Sequence, residues 1–257
     1  STASAQMNLS AETANASGVP GNTVLALGEF ATQAGIANIQ VATGQTLTNS
    51  LQNVAEGNTD IAAAPFILPF LLGRGVGPYA SLGKEKGADY ADRLAVLYTY
   101  RFGVFTMSAY NSSSVKGWDS LEGKTIYNGP PRGAALTNAR GVVKIATGLD
   151  DGSGYKGLQV NWDQAIKTMT DGSADAFVLP SSFPDGRHTA AVAAGGITMW
   201  SMPKDKFESD AAKKYMKAPG SGTVNIPLSE ATQAEGVKVV SEDDRFRGVA
   251  TVGGEVV

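Results

Sequence analysis

A repeat constrains this chain more than any other feature of its sequence. Residues 56–65 read Glu-Gly-Asn-Thr-Asp-Ile-Ala-Ala-Ala-Pro, and residues 171–180 read Asp-Gly-Ser-Ala-Asp-Ala-Phe-Val-Leu-Pro. Both carry an acid, a glycine, two spacer residues, an aspartate, four small or apolar residues and a proline. Recurrence of such a pattern far along one chain marks a duplicated structural unit. Its physical reading is a helix end, a turn, a buried strand and a stop. Gly57 and Gly172 sit where a left-handed residue ends a helix. Ile61–Ala64 and Ala176–Leu179 are uncharged and apolar, as strands covered on both faces are. Pro65 and Pro180 then end the strand, because proline donates nothing to the ladder. Asp60 and Asp175 read as turn residues hydrogen-bonding locally.

The similarity extends upstream. Ile39–Val41 and Leu158–Val160 form matching strands, each followed by a loop and an amphipathic helix. Thr48 or Asn49 caps the first of these helices and Asp163 the second. Met7–Ala11 and Lys124–Asn128 open each copy, followed by helices at about 22–35 and 133–147. In the latter, Leu136, Ala139, Val142, Val143 and Ala146 fall on one stripe. Each copy is thus β-α-β-α-β, with a parallel sheet. The expected fold class is α/β: two βαβαβ lobes joined by crossover strands, with residues 1–103 as lobe 1 and 104–248 as lobe 2. The link Arg93–Tyr110 is rich in β-branched and aromatic residues and reads as a crossover strand. Residues 249–257 read as the return crossover towards lobe 1, with any C-terminal helices beyond it missing.

Composition narrows the function. The net charge of −3 over 257 residues offers no basic face for nucleic acid. With no cysteine, disulfides and thiolate metal sites are excluded. No apolar run reaches the roughly 20 residues that span a bilayer. The chain begins Ser-Thr-Ala-Ser-Ala-Gln, read as a secreted protein's N-terminus after signal-peptide removal, or else as the start of a trimmed chain. No cofactor and no metal is expected.

Ligands of open parallel sheets bind beyond the carboxyl ends of the strands, beside helix starts that favour anions. Thr43-Gly-Gln-Thr-Leu-Thr-Asn49 supplies Gly44, Gln45, Thr46, Thr48 and Asn49 as candidate contacts. Asn128-Gly-Pro-Pro-Arg-Gly-Ala134 supplies Arg132, Gly133 and Ala134. A guanidinium at Arg132 suits a carboxylate; its other reading is a solvated loop residue. Trp162 either walls the site or covers a sheet edge. Ser181 and Phe183 follow the second repeat's strand. Arg101 reads as a salt-bridge residue between lobes and Trp118 as structural. The single histidine, His188, reads as a surface or capping residue at a helix start, and no nucleophile–His–acid set can be assembled around it.

Four segments together resemble the TAXI-type solute-binding proteins of TRAP transporters, which have the type II periplasmic-binding-protein fold. They are Ser17-Gly-Val-Pro-Gly-Asn-Thr23, Thr43–Asp60, Trp118-Asp-Ser-Leu-Glu-Gly-Lys-Thr-Ile-Tyr-Asn-Gly-Pro-Pro131 and Asp171–Pro184. The resemblance covers about residues 7–185. It implies a non-enzymatic, extracytoplasmic (periplasmic) protein, a monomer, delivering a small carboxylate such as glutamate or a keto acid to a membrane permease, with the ligand clamped between lobes. It implies contacts from Ser17, Thr46, Arg132, Gly133 and the segment around Ser181. Two loops depart from the family pattern: Gly44-Gln-Thr-Leu-Thr-Asn49, and Arg132-Gly-Ala-Ala135 after the two prolines. The alternatives are a ligand-sensing domain of a receptor or regulator, and a small-substrate enzyme on the same fold.

Overall fold

The structure is a computed structural model that describes residues 5–16 and 18–257. The chain divides into two compact units. Unit 1 holds the chain up to Phe102 together with Thr251–Val257, and unit 2 holds Gly103–Ala250.

In unit 1, β1 (Met7–Glu12), β2 (Ala37–Ala42) and β3 (Ile61–Pro65) alternate with α1 (Val19–Gln33) and α2 (Leu47–Ala55). β1 lies between β2 and β3 and is parallel to both. α3 (Ile67–Arg74) and α4 (Gly83–Asp92) follow. Pro69 is tolerated because it falls in the first turn of α3, where the missing N–H has no helical partner.

Unit 2 repeats the plan. β5 (Thr125–Tyr127) lies between β6 (Lys156–Leu158) and β7 (Ala176–Ser181), parallel to both. The intervening helices are α5 (Ala134–Thr147) and α6 (Ala165–Thr170), and α7 (Gly186–Ala191) follows β7. Then come β8 (Ile197–Trp200), α8 (Lys204–Phe207), α9 (Asp210–Tyr215), β9 (Ser221–Pro227) and β10 (Val237–Val240). Two long strands belong to both units: β4 (Val96–Tyr110) and β11 (Arg245–Val256). In unit 1, β11 pairs antiparallel with β3, and in unit 2, β4 pairs antiparallel with β7 and with β8.

The repeat has a defined job. Gly57 and Gly172 have φ of 77° and 79° and terminate α2 and α6 in the left-handed region. Asp60 accepts the backbone N–H of Ser10 on β1 at 2.8 Å, and Asp175 accepts that of Thr125 on β5 at 2.8 Å. Each aspartate returns its own backbone N–H to the carbonyl of the same residue. These bonds run to the neighbouring strand, which corrects the expectation of a local turn.

Helices on both faces explain the apolar strands. One face of unit 1 buries Leu51, Ala64, Leu68, Leu72 and Val256, and the other Ala11, Val24 and Ile61. In unit 2, Met107, Ile126, Val142, Val143 and Val178 pack with α5, while Tyr127, Met169, Phe177 and Ile197 fill the opposite face. Three boundaries differ from expectation. Thr46, not Thr48 or Asn49, is the cap position of α2. Asn161 and Gln164, not Asp163, precede the turn and helix after β6. β7 runs one residue past Pro180.

The last strand of unit 1 carries a buried acid. Glu255 is fully buried; its Oε1 accepts the hydroxyl of Tyr100 at 2.8 Å. Its Oε2 has no hydrogen-bond partner among the described residues. Tyr98, Tyr100 and Phe102 stack along β4 beside it, with centroids 5.8 and 5.0 Å apart. Burial pushes the carboxyl up to about 7, against the opposing pull of the Tyr100 bond. The folded chain therefore holds a proton that the unfolded chain has released. That stabilisation is full below the ordinary carboxyl range and is lost as pH rises through about 7. Between about pH 4 and pH 8, wild type should lose roughly 3 kcal/mol of stability relative to Glu255→Gln. Urea melts across that range check it; parallel pH profiles for the two proteins would refute it. Separately, Asp175→Ala should cost about 1–2 kcal/mol by freeing the Thr125 N–H, measured by the same melts.

Candidate functional site

In unit 1 the loop after β2 turns at Gly44, whose φ is 71°, and Gly44, Gln45, Thr46 and Asn49 are exposed. The Gln45 backbone N–H bonds the Thr13 carbonyl, tying this loop to the end of β1. Thr48 is half-buried within α2, and its carbonyl accepts the Tyr79 hydroxyl. Ser17 lies outside the described residues. Among the described residues no side chain caps α2, so its first N–H groups lack a helical partner.

In unit 2, Gly133 is the cap position of α5 with φ of 102°, and no side chain caps that helix. Arg132, Gly133 and Ala134 are all exposed. Trp162 is half-buried and packs towards Gly129 of the same loop. The Arg187 guanidinium lies 4.4 Å from the Trp162 ring centroid, a cation–π contact. Its Nη1 donates to the Pro180 carbonyl at 2.9 Å. Arg187 thus joins the end of β7 to the turn after β6. Sequence reading missed it because it lies three residues beyond the loop assigned to β7, inside a helix. Burial pushes the Tyr127 hydroxyl up to about 12, with Arg187 opposing and Asp163 adding to the rise.

Ser181 is buried; its hydroxyl accepts from Thr106 at 2.9 Å and faces the Leu179 carbonyl at 3.3 Å. Phe183 packs edge-on against Phe246 at 5.1 Å. Trp118 is buried and donates its indole N–H to the Ser201 carbonyl. Arg101 is exposed and forms no ion pair among the described residues.

His188 is neither exposed nor isolated, which corrects the sequence reading. Its Nε2 lies 2.7 Å from Ser108 Oγ and its Nδ1 2.9 Å from Asp185 Oδ1. Ser108 comes from near the end of β4, a contact no local spacing announces. Asp185 also caps α7 through the N–H groups of Arg187 and His188. Burial alone raises the Asp185 carboxyl, but the bond and charge of His188, then Arg187, outweigh it and hold the group below its ordinary range. The order of partners matches a catalytic triad. The burial does not: Ser108 is 0%, His188 1% and Asp185 5% exposed. A nucleophile sealed from solvent meets no substrate, so the trio serves as a satisfied polar tether between β4 and the start of α7. Among the described residues, no group of three or more acids and histidines is placed to hold a metal ion. No helix among them is long and apolar enough to cross a membrane.

No family model matches the chain, and no curated protein does. Solved structures do. The periplasmic aliphatic sulphonate binding protein SsuA from Escherichia coli is 13% identical with a TM-score of 0.49, over 74% of this chain and 58% of that one. The ectoine binding protein TeaA of the TeaABC TRAP transporter is 13% identical with a TM-score of 0.45, over 74% and 65%. A TRAP periplasmic solute binding protein from Ralstonia eutropha H16, bound to (S)-2-acetolactate, is 13% identical with a TM-score of 0.45, over 91% and 87%. The chain spans less than two thirds of the sulphonate- and ectoine-binding structures.

Removing the imidazole leaves Ser108 and Asp185 buried without it. His188→Ala should therefore destabilise the fold by about 1–3 kcal/mol in urea melts. A fluorophosphonate probe should leave native Ser108 unlabelled by mass spectrometry; stoichiometric labelling would reopen the hydrolytic reading.

Proposed function

We propose that the chain is an extracytoplasmic solute-binding protein that holds a small organic anion, without catalysis, for a TRAP-type membrane permease. The observation that carries the reading is the Arg187–Trp162 contact beyond the carboxyl ends of β6 and β7, with Trp162 beside Gly129 of the loop that leads to the uncapped start of α5. A guanidinium and free helix N–H groups are complementary to a carboxylate, and the indole supplies an apolar wall. Arg132, Gly133 and Ala134 border the same helix start. In unit 1 the exposed polar loop Gly44–Asn49 and the start of α2 present uncharged hydrogen-bonding groups beyond the carboxyl end of β2. The glutamate-like or keto-acid class and the TAXI subtype rest on the sequence resemblance. A receptor's ligand-sensing domain uses the same chemistry and is separated from transport by the company the gene product keeps.

Isothermal titration with C4–C6 carboxylates should give one-site binding without turnover. Loss of a charge-assisted bond is worth about 1.5–3 kcal/mol, so Arg132→Ala and Arg187→Ala are each expected to weaken binding about 10- to 100-fold. Loss confined to Arg187→Ala moves the anchor to that residue, and unchanged affinity in both removes the anion from the proposal. Ligand at a hundredfold excess over Kd should stabilise the protein by about 2.7 kcal/mol.

A further inference from the structure

Unit 2 carries a groove that the solute reading does not use. It encloses about 540 Å³. Its walls include Trp118, Trp200, Met202 and Leu149, and its floor includes Ala146 and Thr147, the last residues of α5. The Gly-Pro-Pro loop lies at the other end of α5, about 21 Å away at 1.5 Å per residue.

The electrostatics of the groove have one sign. Asp119, Glu122, Asp205 and Glu242 line it against a single cation, Lys206. None of these five is in an ion pair among the described residues. The C-terminus of α5 adds the negative end of a helix dipole. Trp200 is half-buried and Trp118 buried in the wall, and an indole face attracts cations more strongly than other side chains do. Carboxylates, dipole and rings all select a positive occupant.

The layout also distinguishes a small ligand from a chain. Small-molecule pockets enclose their ligand and place a few polar groups inside. Here Trp118 is buried in the wall, while all four carboxylates stand exposed at the rim. An apolar centre with a charged rim is the anatomy of a protein interface, where arginine is a favoured anchor. We propose that this groove docks a basic, arginine- or lysine-bearing segment of a partner protein. The proposal does not depend on the identity of the solute or on its site.

Trp162→Phe leaves Trp118 and Trp200 as the remaining tryptophans, so fluorescence then reports on the groove. The probe is a short synthetic peptide of alternating arginine and leucine, with glutamate for arginine as its control. The arginine peptide should cause a saturable change, weakening as salt rises from about 20 to 200 mM. Asp119→Asn, Glu122→Gln and Glu242→Gln combined should raise Kd at least about tenfold. Should that triple variant fail to fold by circular dichroism, Asp119→Asn and Glu122→Gln taken singly should each raise Kd about two- to fivefold. No saturable change, equal binding of the glutamate peptide, or unaltered affinity in the neutralised variants would overturn the proposal. Binding of free arginine or tetramethylammonium as tightly as the peptide would overturn it too, making the groove a small-cation site.

Discussion

Each parallel triplet depends on one reciprocal contact. An aspartate at the start of the third strand takes the backbone N–H of the first strand and gives its own N–H back to that residue's carbonyl. The pairing fixes where the third strand begins against the first, and a one-residue slip would exchange the faces of every side chain in it. The glycine three residues earlier ends the preceding helix so that the aspartate arrives in place. Once these strands are registered, their carboxyl ends and the following helix starts come to one edge of each unit. The candidate contacts sit on that edge because of this register, and their own chemistry does not bring them there.

This explains what the sequence disclosed and what it withheld. The repeat is local, so Gly57, Gly172 and the two buried strands could be read from residues that are neighbours in the chain. The stripe on α5 was equally plain, since helical periodicity is a local signal. The crossover strand was legible from its β-branched and aromatic residues, and the structure places β4 there. Helices α3 and α4 lie outside the repeat and left no signal of that kind; the proline in α3 falls in its first turn, where it is harmless. The return crossover read at 249–257 falls within β11, whereas β8, β9 and β10 carry no repeat and left no comparable trace.

The site divides along the same line. Loop residues such as Gly44, Arg132 and Gly133 could be nominated from position alone. Arg187 could not, because its importance comes from a ring and a carbonyl supplied by two other loops. Ser181 looked like a contact from its place after the strand, yet its hydroxyl is turned to Thr106. The Ser108–His188–Asp185 trio was invisible for a further reason: eighty positions separate serine from histidine, and only the pairing of β4 with β7 and β8 brings them together.

That trio has a consequence for how folds are sorted by function. A search that matched three side chains by their interatomic distances alone would file this chain among the esterases. What separates it from them is a missing path: strands lie on either side of the serine, and the imidazole is buried. Chemistry of this kind requires an opening as much as an arrangement. A lineage that trimmed the residues above Ser108 would hold a nucleophile, a base and an orienting acid already in line, needing only an oxyanion cradle and a mouth.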